Sequence, residues 1–421
     1  MNGDAPAPGP EAGHDPGPER FAAFLAANAP WLAAGALMTF ASSFGQTFFI
    51  SLFAGEIRAE FALSHGEWSG LYTAGTLASA ALMLWAGTLT DRLRARTLCV
   101  ALMGAYAGVC LFASAAWSPW ALAVAVFGLR FCGQGMLYHV AIVSMGRWFA
   151  RARGRAVALA GLGFAFGEAV LPTVAVALIG VLGWRGAWQA AAVAALLLLP
   201  VFVWLLRRER TPRSLAEQSE APGRGGRHWT RGEAVRDPLF RAALPAVLAP
   251  PIFGTAFIFH QVHLTEIKGW ALSEFAALFA LYVATSIPAS FAAGWAADRF
   301  GAARMLPLWP CLLAVGLTVA AFAQAFWAGA VAMALLGAMQ GFGSAVSGAF
   351  WPEVYGTRHL GAIRSVATSS MVFGTALGPG VSGLLLDVEV GFEAQLIGMA
   401  ALSLAAAVNF ALAERRLQPA R

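Results

Sequence analysis

Gly87-Thr-Leu-Thr-Asp91-Arg92 and Gly294-Trp-Ala-Ala-Asp298-Arg299 are one short loop written twice, 207 residues apart. Working outward, Phe44-Gly-Gln-Thr-Phe-Phe-Ile-Ser51 aligns with Phe253-Gly-Thr-Ala-Phe-Ile-Phe-His260 at an offset of 209. Gln134-Gly135 aligns with Gln340-Gly341 at 206, and Arg155-Ala-Val-Ala with Arg364-Ser-Val-Ala at 209. One short match is noise. Four in order, at nearly one offset, indicate a duplicated structural unit.

What surrounds the loops decides what that unit is. The 421 residues are 59% hydrophobic and only 12% charged. A soluble domain carries about 25% charged residues, so this chain cannot cover a water-soluble globule. A polytopic membrane protein remains. Twelve stretches are long and apolar enough to cross a bilayer, at 31–54, 69–90, 97–116, 119–145, 155–182, 185–206, 241–264, 271–297, 303–326, 328–350, 365–387 and 392–413. The expected fold is therefore all-α and membrane-embedded, with two pseudo-symmetric six-helix halves. Residues 1–28 read as a disordered tail, rich in Pro, Gly and acid, without the basic-then-apolar order of a signal peptide. The halves are 29–206 and 241–414. Residues 207–240 form an arginine-rich linker, with a short surface helix near Arg231–Asp237, and 415–421 a second tail.

The cations orient the chain. Lys268 is the only lysine among 28 basic residues. Arginines crowd the loops after the even-numbered spans, the linker and the carboxyl tail. The opposite side holds only Arg58, Arg185 and Lys268, while Arg130 lies inside the fourth span. By the positive-inside rule both termini are expected in the cytoplasm, with the protein in the inner membrane. The net charge of +6 reflects that bias, so no nucleic-acid partner is expected. Cys99, Cys110, Cys132 and Cys311 form no CxxC pair, and neither a disulfide framework nor a cysteine metal site is expected.

Two six-helix halves joined by a cytoplasmic linker, with Gly-x-x-x-Asp-Arg after the second helix of each, resemble the major facilitator superfamily of secondary transporters. Arg130 followed by Gly133-Gln-Gly135 resembles that family's helix 4 motif. Gly161, Gly163 and Gly167 with Pro172 loosely resemble its glycine-rich helix 5 motif. The loop Arg147-Trp-Phe-Ala-Arg-Ala-Arg-Gly-Arg is similar to monocarboxylate and oxalate-type branches. The first loop departs from the family pattern by placing Arg94 where a glycine is usual, whereas the second keeps Gly301. The resemblance implies that Asp91, Arg92, Asp298 and Arg299, with Arg147, Glu353 and Arg358, latch the halves at the cytoplasmic side and favour the outward-facing state. As bare sequence, the same loops also read as solvated turns that set topology.

Two charges fall near mid-membrane. Arg130 is 11 residues into the fourth span, about 16 Å deep at 1.5 Å per residue, and Glu168 reaches a similar depth in the fifth. An intramembrane charge costs about 3 kcal/mol or more on insertion scales. The repeat places Leu336 and Leu377 at the equivalent positions, so the fold does not require charges there. Three readings stand together: a structural ion pair between Arg130 and Glu168, proton carriage by Glu168, and anion binding by Arg130. Ser43, Gln46 and Thr47 share a face of the first span with Thr39, and Gln134 and Gln340 sit at equivalent places in the fourth and tenth. All are candidates to hydrogen-bond a substrate, with helix packing as the plain alternative. His260 aligns with Ser51 and is a candidate proton or substrate group. His263 lies three residues on, but a stable metal site is not expected. Pro250-Pro251 should hinge the seventh span.

No Walker motif is present, so ATP is not expected to drive the protein. Clustered nucleophiles and acids are lacking, and no enzyme activity or cofactor is expected. The sequence reads as a monomeric, proton-driven transporter moving a small organic acid or other small anion by alternating access, with the proton gradient as energy source and the lipid bilayer as surroundings. Proton-antiport efflux of drugs or toxic ions is the alternative.

Overall fold

The structure, a computed structural model, describes residues 18–149, 152–207 and 222–417. The tails at 1–17 and 418–421, Ala150 and Arg151, and linker positions 208–221 lie outside the described residues.

Among the described residues twelve long helices follow one another. We number them α1 (Pro18–Ser42, continued through short turns to Phe61), α2 (His65–Ala86), α3 (Ala95–Ser114), α4 (Pro119–Leu129, continued to Trp148), α5 (153–182) and α6 (184–205). The second half holds α7 (Pro238–Ala249, continued to Lys268), α8 (Leu272–Phe300), α9 (Leu308–Phe322), α10 (Phe326–Tyr355), α11 (Leu360–Asp387) and α12 (Phe392–Leu417). α5 and α6 are one helical run broken at Gly183, whose φ of 69° only glycine adopts at little cost. α1 begins well before the expected residue 31, at Pro18. Expected hinge residues Pro250-Pro251 widen α7 into a π-helical turn over Pro250–Gly254 and do not break it.

Hydrocarbon offers no apolar driving force between helices, so they associate by close packing. Glycine permits it. A Cβ at Gly163 of α5 would lie 1.8 Å from the Ala36 carbonyl oxygen of α1, and one at Gly378 of α11 would lie 2.2 Å from that of Ile252 in α7. α10 meets α8 the same way at Gly337 and Gly341. The halves meet mainly where α2 packs on α11 and α5 on α8.

The repeat also governs the charges at the end opposite the linker. Arg185 at the start of α6 pairs with Glu60 at 2.5 Å and donates to the Ser114 and Ala116 carbonyls. In the second half Lys268 pairs with Glu393 at 2.5 Å and donates to the Ala321 carbonyl. Glu60 and Lys268 are equivalent positions, as are Arg185 and Glu393, so the same tie is made with its charges exchanged. Two of the three cations that break the arginine bias are thus neutralised. The Arg185 guanidinium and the Trp184 indole hold the Glu60 carboxyl below its ordinary value.

At the linker end, residues 222–237 are folded onto the second half. Trp229 donates its amide to the Tyr355 carbonyl, and its ring meets Tyr355 edge-on at 5.5 Å. Asp237, buried, accepts from Arg224 at 2.9 Å and from the Tyr355 hydroxyl at 2.9 Å. The expected surface helix is present at Arg231–Arg236, opened by a Thr230/Glu233 capping box.

Candidate functional site

The interior site is built on a break in α1. The helix ends at Ser42, passes through a 3-10 turn, and Gln46 is extended with φ −84° and ψ 157°. This frees the Gly45 carbonyl from the helical ladder. Arg130 reaches it from α4, where a π-helical stretch over Arg130–Leu137 begins. Its Nη1 donates to Gly45 O at 3.2 Å and to Thr47 Oγ1 at 3.3 Å. The guanidinium also lies over the Tyr72 ring, 5.3 Å from its centroid, and Thr47 Oγ1 meets the Tyr72 hydroxyl at 2.6 Å. α1 and α4 approach closely here because Gly45 and Gly133 face each other. Arg130 is only 1% exposed, yet its Nε and Nη2 have no partner, nor has the nearby buried Tyr106 hydroxyl. A buried guanidinium with idle donors is costly and electrostatically suited to an anion.

Glu168 does not complete it. Arg130 takes its partners from α1 and α2, whereas Glu168 lies on α5 towards α8, with Tyr282 as its electrostatic neighbour. The expected ion pair between the two is absent. Glu168 is half-buried, and among the described residues its carboxyl makes no hydrogen bond or ion pair. One turn before it, Phe164 packs edge-on against Phe48 and Tyr138, each at 6.0 Å, and Phe48 lies 6.0 Å from Phe279. The carboxyl therefore borders an aromatic interior.

The polar candidates divide. Thr47 belongs to the arginine cluster. Gln46 is 9% exposed and Gln134 is half-buried, and neither side chain is tied to a protein partner. Gln340 is exposed on α10, on a face shared with Ser344 and Ser347. Ser43 is fully buried beside α5, where a Cβ at Gly167 would fall 2.3 Å from its hydroxyl. Thr39 likewise donates to the Ala160 carbonyl of α5 at 2.5 Å. The wheel that grouped 39, 43 and 46/47 assumed an unbroken helix, and the break at Gln46 rotates the later residues away.

His260 closes the end opposite the linker. It is 4% exposed, and its Nε2 lies 3.3 Å from the Pro379 carbonyl of α11. His65 of α2 approaches His260 at 6.3 Å and His263 at 4.4 Å between ring centroids. Among the described residues no group of three or more His, Cys, Asp or Glu side chains could hold a metal ion. Hydrogen bonds between the halves concentrate here. Gln261 Nε2 donates to Phe48 O at 3.0 Å and Ser51 Oγ at 2.8 Å, and Ser51 Oγ donates to Ile258 O at 3.2 Å. Asp387 of α11 accepts from Ser64 Oγ at 2.6 Å and Gly66 N at 3.0 Å, so it caps α2 across the interface, where the helix dipole favours a carboxylate. Thr73 donates to the Ala376 carbonyl at 2.7 Å. Sequence reading missed Tyr72, Tyr106, Gln261 and Asp387, because their roles depend on contacts between distant spans.

At the linker end the expected latch groups bond inside their own halves. Arg147 pairs with Asp91 and donates to the Thr90 carbonyl at 2.6 Å. Its equivalent, Glu353, accepts from the amides of Ala302 at 2.6 Å and Ala303 at 3.3 Å. Asp298 and Arg92 are exposed, as is Arg358, and Arg299 lies over Trp295 and Phe300 at 5.7 and 5.8 Å. The latch expected between the halves is not made by these described bonds.

Comparison with known proteins agrees with this architecture. The family profile of the Major Facilitator Superfamily matches residues 35–265 and again 251–421. A search of curated protein sequences returned no match. Among solved structures, a bacterial homologue of the human lysosomal transporter Spinster is similar in its inward-facing, unoccupied conformation, with TM-score 0.70 and 18% identity over 93% of this chain and 99% of that one. Its inward-facing, occupied conformation gives 0.69 and 17% over 92% and 98%. The nucleoside transporter NupG gives 0.68 and 11% over 91% and 99%. Twelve helices in two repeated halves, together with the double family match, make this chain a member of the major facilitator superfamily of membrane transporters.

Proposed function

We propose that the protein moves a small organic anion across the inner membrane by alternating access, driven by the proton gradient, with its termini in the cytoplasm. The observation that carries this reading is the separation of two uncompensated charges. Arg130 keeps idle donors in a buried polar cluster, and Glu168 keeps an unpartnered carboxyl in the interior. A cation without an acid beside it suits an anionic substrate, and a carboxyl without a cation beside it can bind and release a proton. Hydrogen bonds between the halves gather at the end away from the linker, while Asp91, Arg147 and Glu353 bond within their own halves. Both support a state open to the cytoplasm. Latch contacts between Asp91, Asp298 and their arginines would then form in the opposite state.

The aromatic wall of Phe48, Phe164, Phe279 and Tyr282 near Glu168 favours a second reading, proton-antiport efflux of apolar drugs, in which Glu168 exchanges a proton for a cationic substrate. Proteoliposome counterflow with a trapped pH-sensitive dye separates the two. Anion uptake with acidification of the lumen, lost in Arg130→Met and uncoupled from the pH gradient in Glu168→Gln, is expected. Uphill, pH-driven transport retained in Glu168→Gln would overturn the proton role. Organic cations moving in exchange for protons would favour efflux.

A further inference from the structure

A second built site lies at the linker end, away from the interior cluster. A cavity of about 1040 Å³ opens there between α3, α4 and α6. Among the described residues its rim carries Arg92, Arg94, Arg96, Arg147 and Arg207, with Asp91 as the one carboxylate, paired to Arg147. The floor is different in kind. It is lined by Val100 of α3, Val140 and Val143 of α4 and Val203 of α6. Leu93 on the rim is 45% exposed. Beside it Trp204 is 57% exposed, with Arg207 over its ring at 5.4 Å. An exposed tryptophan against an arginine at a helix end marks the membrane–water interface.

Arginines that merely set topology need no cavity and no apolar floor. The repeat supplies an internal control. The equivalents of Arg94, Arg96 and Arg147 in the second half are Gly301, Ala303 and Glu353, so the fold does not require those three cations, whereas Arg92 and Arg207 have basic equivalents in Arg299 and Arg415. A cationic rim at headgroup depth over an apolar slot running into the hydrocarbon matches one ligand chemistry, a phosphodiester carrying acyl chains.

We propose that this cavity binds an anionic diacyl phospholipid, its phosphate at Arg96 and Arg207 and an acyl chain along Val100, Val143 and Val203. The site is on the half that moves against its partner, and it takes its ligand from the bilayer rather than from the water.

Native mass spectrometry of the full chain in detergent tests this, with phosphatidylglycerol, phosphatidylcholine and sn-glycerol 3-phosphate as probes. Phosphatidylglycerol should be retained over phosphatidylcholine. Each arginine near the surface is worth about a fivefold change in affinity for anionic lipid, so Arg96→Gln/Arg207→Gln should lower phosphatidylglycerol retention about 25-fold and leave phosphatidylcholine unchanged. Val143→Phe, which fills the slot without touching charge, should lower retention of both lipids and serves should the double variant fail to fold. Equal retention of the two lipids by the natural chain would overturn the proposal. So would unchanged selectivity in the arginine variant, or displacement of the lipid by glycerol 3-phosphate, which would assign the site to a soluble phosphate.

Discussion

Gln261 is the side chain whose loss should most directly loosen the closed end. It is fully buried in α7, and its amide nitrogen crosses to α1, donating to Phe48 O at 3.0 Å and Ser51 Oγ at 2.8 Å. Its amide oxygen has no partner, so the residue's polar contribution rests on those two bonds. A net intramolecular hydrogen bond is worth about 0.5–1.5 kcal/mol. Gln261→Ala therefore shifts the balance towards opening by about 1–3 kcal/mol, which is roughly 5- to 150-fold in the ratio of open to closed. The shift stays that large because both bonds exist only while the halves touch. Spin labels at Ala59 and Ile267, exposed on opposite halves at this end, read the ratio as a distance distribution by double electron–electron resonance. The long-distance population should grow accordingly. A distribution within twofold of the parent's, in a variant that melts at the same temperature, would refute the view that these bonds hold the closure.

Other outcomes follow from the same geometry. Gly341→Ala would place a Cβ 1.9 Å from the Ser286 carbonyl oxygen, and overpacking of that kind costs about 1–3 kcal/mol. Gly294→Ala, which meets open space, should hold or raise stability through helix propensity, and thermal denaturation in detergent compares the pair. Arg130→Lys keeps the charge but not the planar fork that spans Gly45 O and Thr47. Transport should fall tenfold or more without loss of fold, measured by counterflow against circular dichroism. The Arg185 pairing holds the Glu60 carboxyl below its ordinary value of about 4.3. Its contribution is therefore fully present above that value and is lost as pH falls through the lower folded value. The pair is partly exposed, so Glu60→Gln should cost under about 1 kcal/mol at neutral pH and flatten only the acid limb of a stability profile. Asp237→Asn should undock the linker, read as increased proteolysis within 222–237.

The sequence by itself determined the class, the number of spans and the duplication. Those depend on composition, on apolar length matched to a bilayer, and on a repeat offset, none of which needs a contact map. It also located Arg130 and Glu168, because an intramembrane charge stands out against apolar neighbours. It left open whether the two pair, since equal depth in adjacent spans says nothing of which way each side chain turns. Tertiary structure decided that. Arg130 turns to the carbonyl freed by the break at Gln46, and Glu168 turns to α8. The break at Gln46 turned Gln46 and Thr47 away from the face of Thr39 and Ser43, because a helical wheel holds only while the helix is regular. Asp387, Gln261 and Tyr72 acquired roles only through contacts between distant spans, and the ties at Glu60–Arg185 and Lys268–Glu393 became one device only when the halves were seen side by side. Local physics writes the helices into the chain. Which faces meet is settled by close packing between helices, and the sequence encodes that packing only jointly.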